Sequence, residues 1–214
     1  MHAIRTAVAA ALEADTLSSP VLASVSSTVL QLDAGEMSKW SVHDVVYHSG
    51  TPNDGRTLRI TVKDTVNNRL TIEPALDSTP AGGTTIKGGV VEWVFAAGTH
   101  IRYDRPRYSA PVGDLLDNAT SAALLLYGPT ILSNLFQGCD SFHYEMRAIS
   151  KNGFWAEGLA HRIRRLFDGL PGALTIATST VQSIEVDDAV LRKRDDELFE
   201  WMVPFDIIVA ELAA

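Results

Sequence analysis

An α+β fold is predicted, with an antiparallel or mixed sheet carrying helices on one face and a separate small β-rich barrel or sandwich. Three observations predict it. In "SFHYEMRAISKNGFWAEGLAHRIRRLFDGL", residues 141–170, a period-two pattern runs directly into a helical one. The closing stretch "LFEWMVPFDIIVAEL" places Phe199, Trp201, Val203, Phe205, Ile207 and Val209 on one strand face. Between residues 28 and 103, short β-rich runs alternate with turn-forming segments such as "TPNDG", "VNN" and "DSTPAGG".

The elements follow in chain order. Ile4, Val8, Ala11 and Leu12 recur at helical spacing, so an amphipathic helix is expected over residues 3–14, closed by Asp15 to Pro20. "TLRITVKD", "RLTIEPAL" and "GVVEWVFAA" are strand-like, and "TVKDTVNNRLTI" reads as a hairpin in which Asn67 and Asn68 tolerate positive φ. "YDRPRYSAPVGD" is a proline-punctuated boundary, and "DLLDNATSAALLLYG" reads as a helix stopped by Gly128 and Pro129. Phe142, Tyr144, Met146 and Ala148 then alternate with His143, Glu145, Arg147 and Ile149.

Asn152 caps a helix whose apolar stripe is Trp155, Leu159, Ile163 and Leu166, with Gly169 and Pro171 as its stop. His161, Arg162, Arg164 and Arg165 fill the rest of its circumference. "ALTIATSTVQSIEV" continues as a strand or strand pair. Pro204 lacks a ladder donor, so it belongs at an edge or a bulge.

Composition narrows the function. The chain has 214 residues and 46% hydrophobic content, enough for one generous domain or two small ones. A formal charge of −8 disfavours a broad nucleic-acid-gripping surface, so "HRIRR" reads as the polar face of a helix. The single Cys139 cannot form an internal disulfide, and synthesis in a reducing compartment is expected. The apolar start is interrupted by Arg5 and Thr6 and followed by Glu13 and Asp15, unlike a secretory signal. No stretch approaches the ~20 apolar residues of a spanning helix, and no membrane association is expected.

Chemical motifs are sparse. His43 and His48 are the closest histidine pair, but their odd separation puts them on opposite faces of a strand. "GGTTIKGG" lacks the ending of a phosphate loop, and no G-x-S-x-G elbow occurs. "NAT" at 118–120 fits a glycosylation pattern that matters only in a secreted protein. Trp155 and Trp201 read as core residues. No catalytic residue, cofactor or metal site is expected. The charged stretch "DDAVLRKRDDE" reads as a loop between two strands, and Asp187, Asp188, Arg192, Lys193, Arg194, Asp195 and Asp196 are the candidate contacts.

The unit formed by "FHYEMRAIS", "NGFWAEGLAHRIRRLFDGL", the loop "DDAVLRKRDDE" and "LFEWMVPFDIIVA", with the opening helix "IRTAVAAALEAD", resembles the tail terminator, or tail completion, family of bacteriophages. The resemblance covers residues 1–17 and about 130–212. It implies a domain over 1–20 and 111–214, with residues 21–110 as an inserted β-rich module. It further implies a virion protein made in the host cytoplasm that forms a ring, commonly of six subunits. Such a ring caps the tail tube at the head–tail junction and joins it to the head-side connector. DNA would pass through the lumen, and the candidate loop would face a partner or that lumen. The alternatives are a head–tail stopper or minor tail protein, or, from another class, a carbohydrate-binding module or enzyme using the β-rich segment with Trp93 and Tyr103 as platforms.

Overall fold

The computed structural model describes residues 2–50, 53, 55–80, 82–90, 122–136, 139–170, 172, 174–176, 179–193 and 199–211. The chain is α+β, with two antiparallel sheets and two described α-helices. Helix α1 spans His2–Glu13. Seven short strands follow: β1 (Leu17–Pro20), β2 (Ala23–Ser26), β3 (Val29–Gln31), β4 (Val45–Ser49), β5 (Arg56–Asp64), β6 (Arg69–Glu73) and β7 (Thr85–Gly88). They form one sheet in the order β1-β7-β4-β5-β6-β3-β2.

This sheet corrects the expected barrel or sandwich, because the ladder is a single open one. Its two end strands are nevertheless consecutive in the chain. Laid flat, six spacings of about 4.8 Å would separate them by roughly 29 Å. Only Val21 and Leu22 join them, a span of about 10 Å at most. The sheet must therefore curl. Val21 N–H bonds to Thr84 O at 2.8 Å and Leu22 N–H to Gln31 O at 2.9 Å, so this connection ties both margins. Trp40, Leu30, Leu58, Ile60, Leu70, Ile72 and Ile86 fill the concave side, and Trp40 Nε1 donates to the buried Ser19 hydroxyl at 2.9 Å. The β5–β6 hairpin forms as expected, although only Asn68 takes positive φ, at 55°. The Asp64 carboxylate accepts from the Val66 and Asn67 N–H groups and braces the turn.

The second sheet contains β8 (Ala122–Phe136), β9 (Cys139–Ser150), β10 (Ser179–Val186), β11 (Val190–Lys193) and β12 (Phe199–Glu211). Its order is β10-β12-β9-β8, with β11 also pairing β12. The helix expected before Gly128 is corrected over residues 122–128, which lie in β8 and pair with β9. Local Ala and Leu propensity yields there to ladder pairing. Gly128 and Pro129, read as a helix stop, instead sit where the register shifts between Tyr127 and Thr130, on the end strand where a proline is tolerated.

Helix α2 (Gly153–Phe167) begins at Asn152, whose side chain accepts from Phe154 N–H. Trp155, Leu159 and Ile163 are buried with Phe142, Tyr144, Met146, Val203, Phe205, Ile207 and α1 residues Ile4, Val8 and Leu12. Both helices thus pack on one face of the second sheet, as expected. Val45 of β4 and Val90 belong to this core as well, whereas Val46 points into the other one. The alternation of β4 lets one strand serve two cores.

Among the described residues the curled sheet begins at β1 and ends at β7, and these two strands pair, Leu17 opposite Gly88. The crossing is latched by Asp15. Its carboxylate takes the Nε and Nη2 of Arg162 on α2, the former at 2.9 Å, and also accepts from Val90 N–H at 2.9 Å. Gly89, at φ +98°, lies so close to the Asp15 carbonyl that a side chain there would collide with it. Burial pulls the Arg162 pKa down, but the Asp15 hydrogen bonds and the charges of Asp15 and Asp44 hold it above its usual value. Asp15→Ala strands a mostly buried guanidinium and is expected to cost about 3 to 5 kcal/mol in urea denaturation. A loss below about 1 kcal/mol, the range of an exposed pair, contradicts the latch.

Candidate functional site

Over residues 187–193 the charged segment is more than a loop. Asp187 N–H bonds to Pro204 O at 3.0 Å. Asp188 is exposed and pairs with Arg164 at 2.6 Å. Arg192 and Lys193 lie in β11, opposite Glu200 and Phe199, so the loop expected over 187–197 is corrected to a strand at 190–193. Arg194, Asp195 and Asp196 lie outside the described residues. Val190 and Leu191 make a strand of this stretch, although charge dominates its composition, and both side chains stay about half exposed.

The cause lies in β12. Val186 faces Phe205 and Val190 faces Met202, so three residues, 187–189, oppose Val203 and Pro204. A strand residue points its N–H and C=O to the same neighbour, and Pro204 O faces Asp187. The missing proline donor therefore faces the bulge, as its chemistry requires.

A concentration of polar side chains lies where α2 meets the curled sheet. Gly158 permits the approach: a Cβ there would stand 2.5 Å from both the His43 carbonyl oxygen and Val45 Cγ2. Around this contact Arg165 pairs with the buried Asp44, and Arg59 of β5 reaches Glu157 at 3.2 Å. The Arg59 guanidinium also lies 4.8 Å above the Phe154 ring. The "HRIRR" segment is thus only partly a solvated face. Arg162 and Arg165 turn into the junction because the curled sheet covers that side of α2.

His43, Glu157 and His161 meet in this junction, with one ligand atom of each within 4.8 Å of the others. His43 and His161 stack at 4.9 Å and 21°, and Trp201 lies 5.9 Å from the latter. Burial, then the neighbouring His43, lowers the His161 pKa, against the opposing pull of Glu157. His48, the histidine nearest to His43 in the sequence, is fully buried in the curled sheet. The same-side spacing of Glu157 and His161 was legible, but His43 comes from the opposite half of the chain.

The crevice lined by Trp40, Asp44, Val45, Trp155, Leu159 and Arg162 has room for little more than a water molecule. Nothing there accommodates an organic substrate. Among the described residues no helix is long and apolar enough to cross a membrane. Comparison with protein-family models and with curated proteins finds no match to this chain.

Asp44 and Arg165 are a costly pair. Burial raises the Asp44 pKa despite Arg165, and burial lowers that of Arg165 despite Asp44. Arg165→Met leaves the carboxylate alone and is expected to cost about 3 kcal/mol, and adding Asp44→Asn restores stability to within about 1 kcal/mol. Asn retains the oxygen that accepts from Ser41 N–H. A raised folded-state pKa means the native state holds the proton longer, so this carboxyl's contribution falls as pH rises from the ordinary aspartate range through the folded value. Denaturation of wild type and Asp44→Asn across that range checks the sign, and a slope unchanged by the substitution contradicts it.

Proposed function

We propose that this chain is a structural virion protein, a subunit of a ring that caps a bacteriophage tail tube and joins it to the head-side connector. The observation that supports it most is the second sheet: long antiparallel strands with α1 and α2 on one face and β10–β11 as an end strand. The outer side of that end strand has no neighbouring strand among the described residues, although Gly169 N–H reaches the Ile184 carbonyl at 3.3 Å. Such an edge is a template for a second chain, and a head-to-tail contact repeated around an axis closes a ring.

The half-exposed Val190 and Leu191 lie on this edge, beside Asp187, Asp188 and Arg192. They give the contact apolar area within a charged rim, the usual composition of an interface. The pairing of β1 with β7 brings the described ends of the curled sheet together, which supports reading it as an inserted module that starts at about residue 17 rather than 21. Six subunits follow from the family resemblance, as does the head–tail junction as the location. The acidic balance of the chain suits a lumen through which DNA slides without adhering.

The reading implies a ring particle in negative-stain images and arrested elongation of tail tubes when the protein is added. Replacing Arg192, Lys193 and Arg194 together with Ser is expected to leave cooperative unfolding unchanged within about 0.5 kcal/mol, as for exposed charges generally. Ring formation or capping should weaken severalfold and become less salt-sensitive, because rim charges act mainly on association. A chain that stays monomeric at all concentrations and leaves tube growth untouched refutes the proposal.

A further inference from the structure

We propose that His43, Glu157 and His161 form a site for one divalent transition-metal ion of the class that accepts imidazole and carboxylate ligands together, such as Zn²⁺, Co²⁺ or Ni²⁺. Two of the ligands come from one helix. Glu157 and His161 are separated by four residues, so they stand one turn apart on the same side of α2. His161 Nε2 lies 4.0 Å from Glu157 Oε1, and His43 Nδ1 lies 3.8 Å from the same oxygen. With metal–ligand bonds of about 2.0–2.2 Å, tetrahedral ligand atoms stand roughly 3.3–3.6 Å apart. Closure requires small rotamer shifts in three side chains that are each part-exposed. That exposure leaves the remaining coordination positions to water.

The third ligand is aimed by its backbone. His43 has φ 75°, a left-handed conformation that costs a non-glycine residue strain and persists only where its surroundings impose it. Two contacts impose it here. His43 N–H bonds to Ile60 O at 2.9 Å, and the missing side chain of Gly158 admits the His43 carbonyl against α2. The ring is thereby carried over the helix, where it stacks on His161.

Arg59 identifies the lone pairs. A guanidinium only donates, so its hydrogen bond to His43 Nδ1 makes that nitrogen an acceptor directed into the cluster. The same guanidinium lies 3.2 Å from Glu157 Oε2. Arg59 therefore stands as a resident cation on two of the three donors, and a metal ion must displace it. The Phe154 ring, already 4.8 Å from this guanidinium, can hold the side chain as it gives up the two donors. A bound ion would join α2 to the turn before β4 and so cross-link the helix layer to the curled sheet. This inference does not depend on the ring proposal.

The test is calorimetric titration of the metal-free full-length chain with Zn²⁺ and Ni²⁺, with Co²⁺ followed by its visible absorption. Wild type should bind one ion per chain and unfold at higher temperature with it. His43→Asn, chosen because Asn tolerates left-handed φ, and His161→Gln should each weaken binding at least tenfold while still unfolding cooperatively. Arg59→Met should tighten binding severalfold, a gain that a purely structural role for the cluster would not produce. Three outcomes overturn the site: no binding of any of the three ions by wild type, wild-type affinity in either histidine variant, or weaker binding in Arg59→Met.

Discussion

The buried Asp15 carboxylate is the constraint on which the arrangement of the two sheets rests. It receives two guanidinium N–H groups from α2 and one backbone N–H from Val90, so the end of α1, the exit from the curled sheet and the helix on the second sheet converge on one side chain. An ionised group this far from water is tolerable only when its lone pairs are satisfied, and here three donors satisfy them. The convergence fixes where α1 gives way to β1 and where the residues after β7 meet α2. Gly89 completes the crossing because no residue with a side chain fits against the Asp15 carbonyl.

Helix α2 consequently has little uncommitted surface. One side carries Trp155, Leu159 and Ile163 into the core of the second sheet. Another meets β4 through Gly158, and the arginines between them reach Asp15 and Asp44. The two ion pairs are not equivalent. Arg162 is held charged by its partners, whereas desolvation prevails for both Asp44 and Arg165. The second pair therefore acts more on how the helix sits than on net stability, in keeping with the specificity that buried ion pairs can confer.

Strand β12 organises the other half. It lies between β9 on one side and β10 and β11 on the other, and its apolar alternation supplies Val203, Phe205, Ile207 and Val209 to the core. Its opposite face carries charge, with Asp206 bonded to His143 at 2.6 Å and Glu200 to Arg147 at 2.9 Å. Pro204 breaks the ladder toward β10 and β11, and the bulge at 187–189 absorbs the missing bond. The same bulge delivers Val190 and Leu191 to the sheet's margin.

The local elements were largely legible in the sequence. The stripe of α1, the Asn152 cap and stripe of α2, the alternation of β9 and β12, the β5–β6 hairpin and an edge or bulge at Pro204 all follow from periodicity, capping and proline chemistry. These forces act between residues near in sequence. What failed to appear there depended on distant partners. The "ALLLYG" run became strand because β9 lay free to pair with it, a choice its own helix-compatible composition could not reveal. The short β-rich runs were seen, but their curl into one open sheet depends on Val21 and Leu22 tying both margins. The charged segment read as a loop because its β-pairing with β12 across a bulge is invisible in charge pattern alone. The junction of His43 with Glu157 and His161 was hidden for the same reason: ligand geometry is set by how two sheets dock on one helix, and that docking is decided by packing and buried charge between segments far apart in the chain.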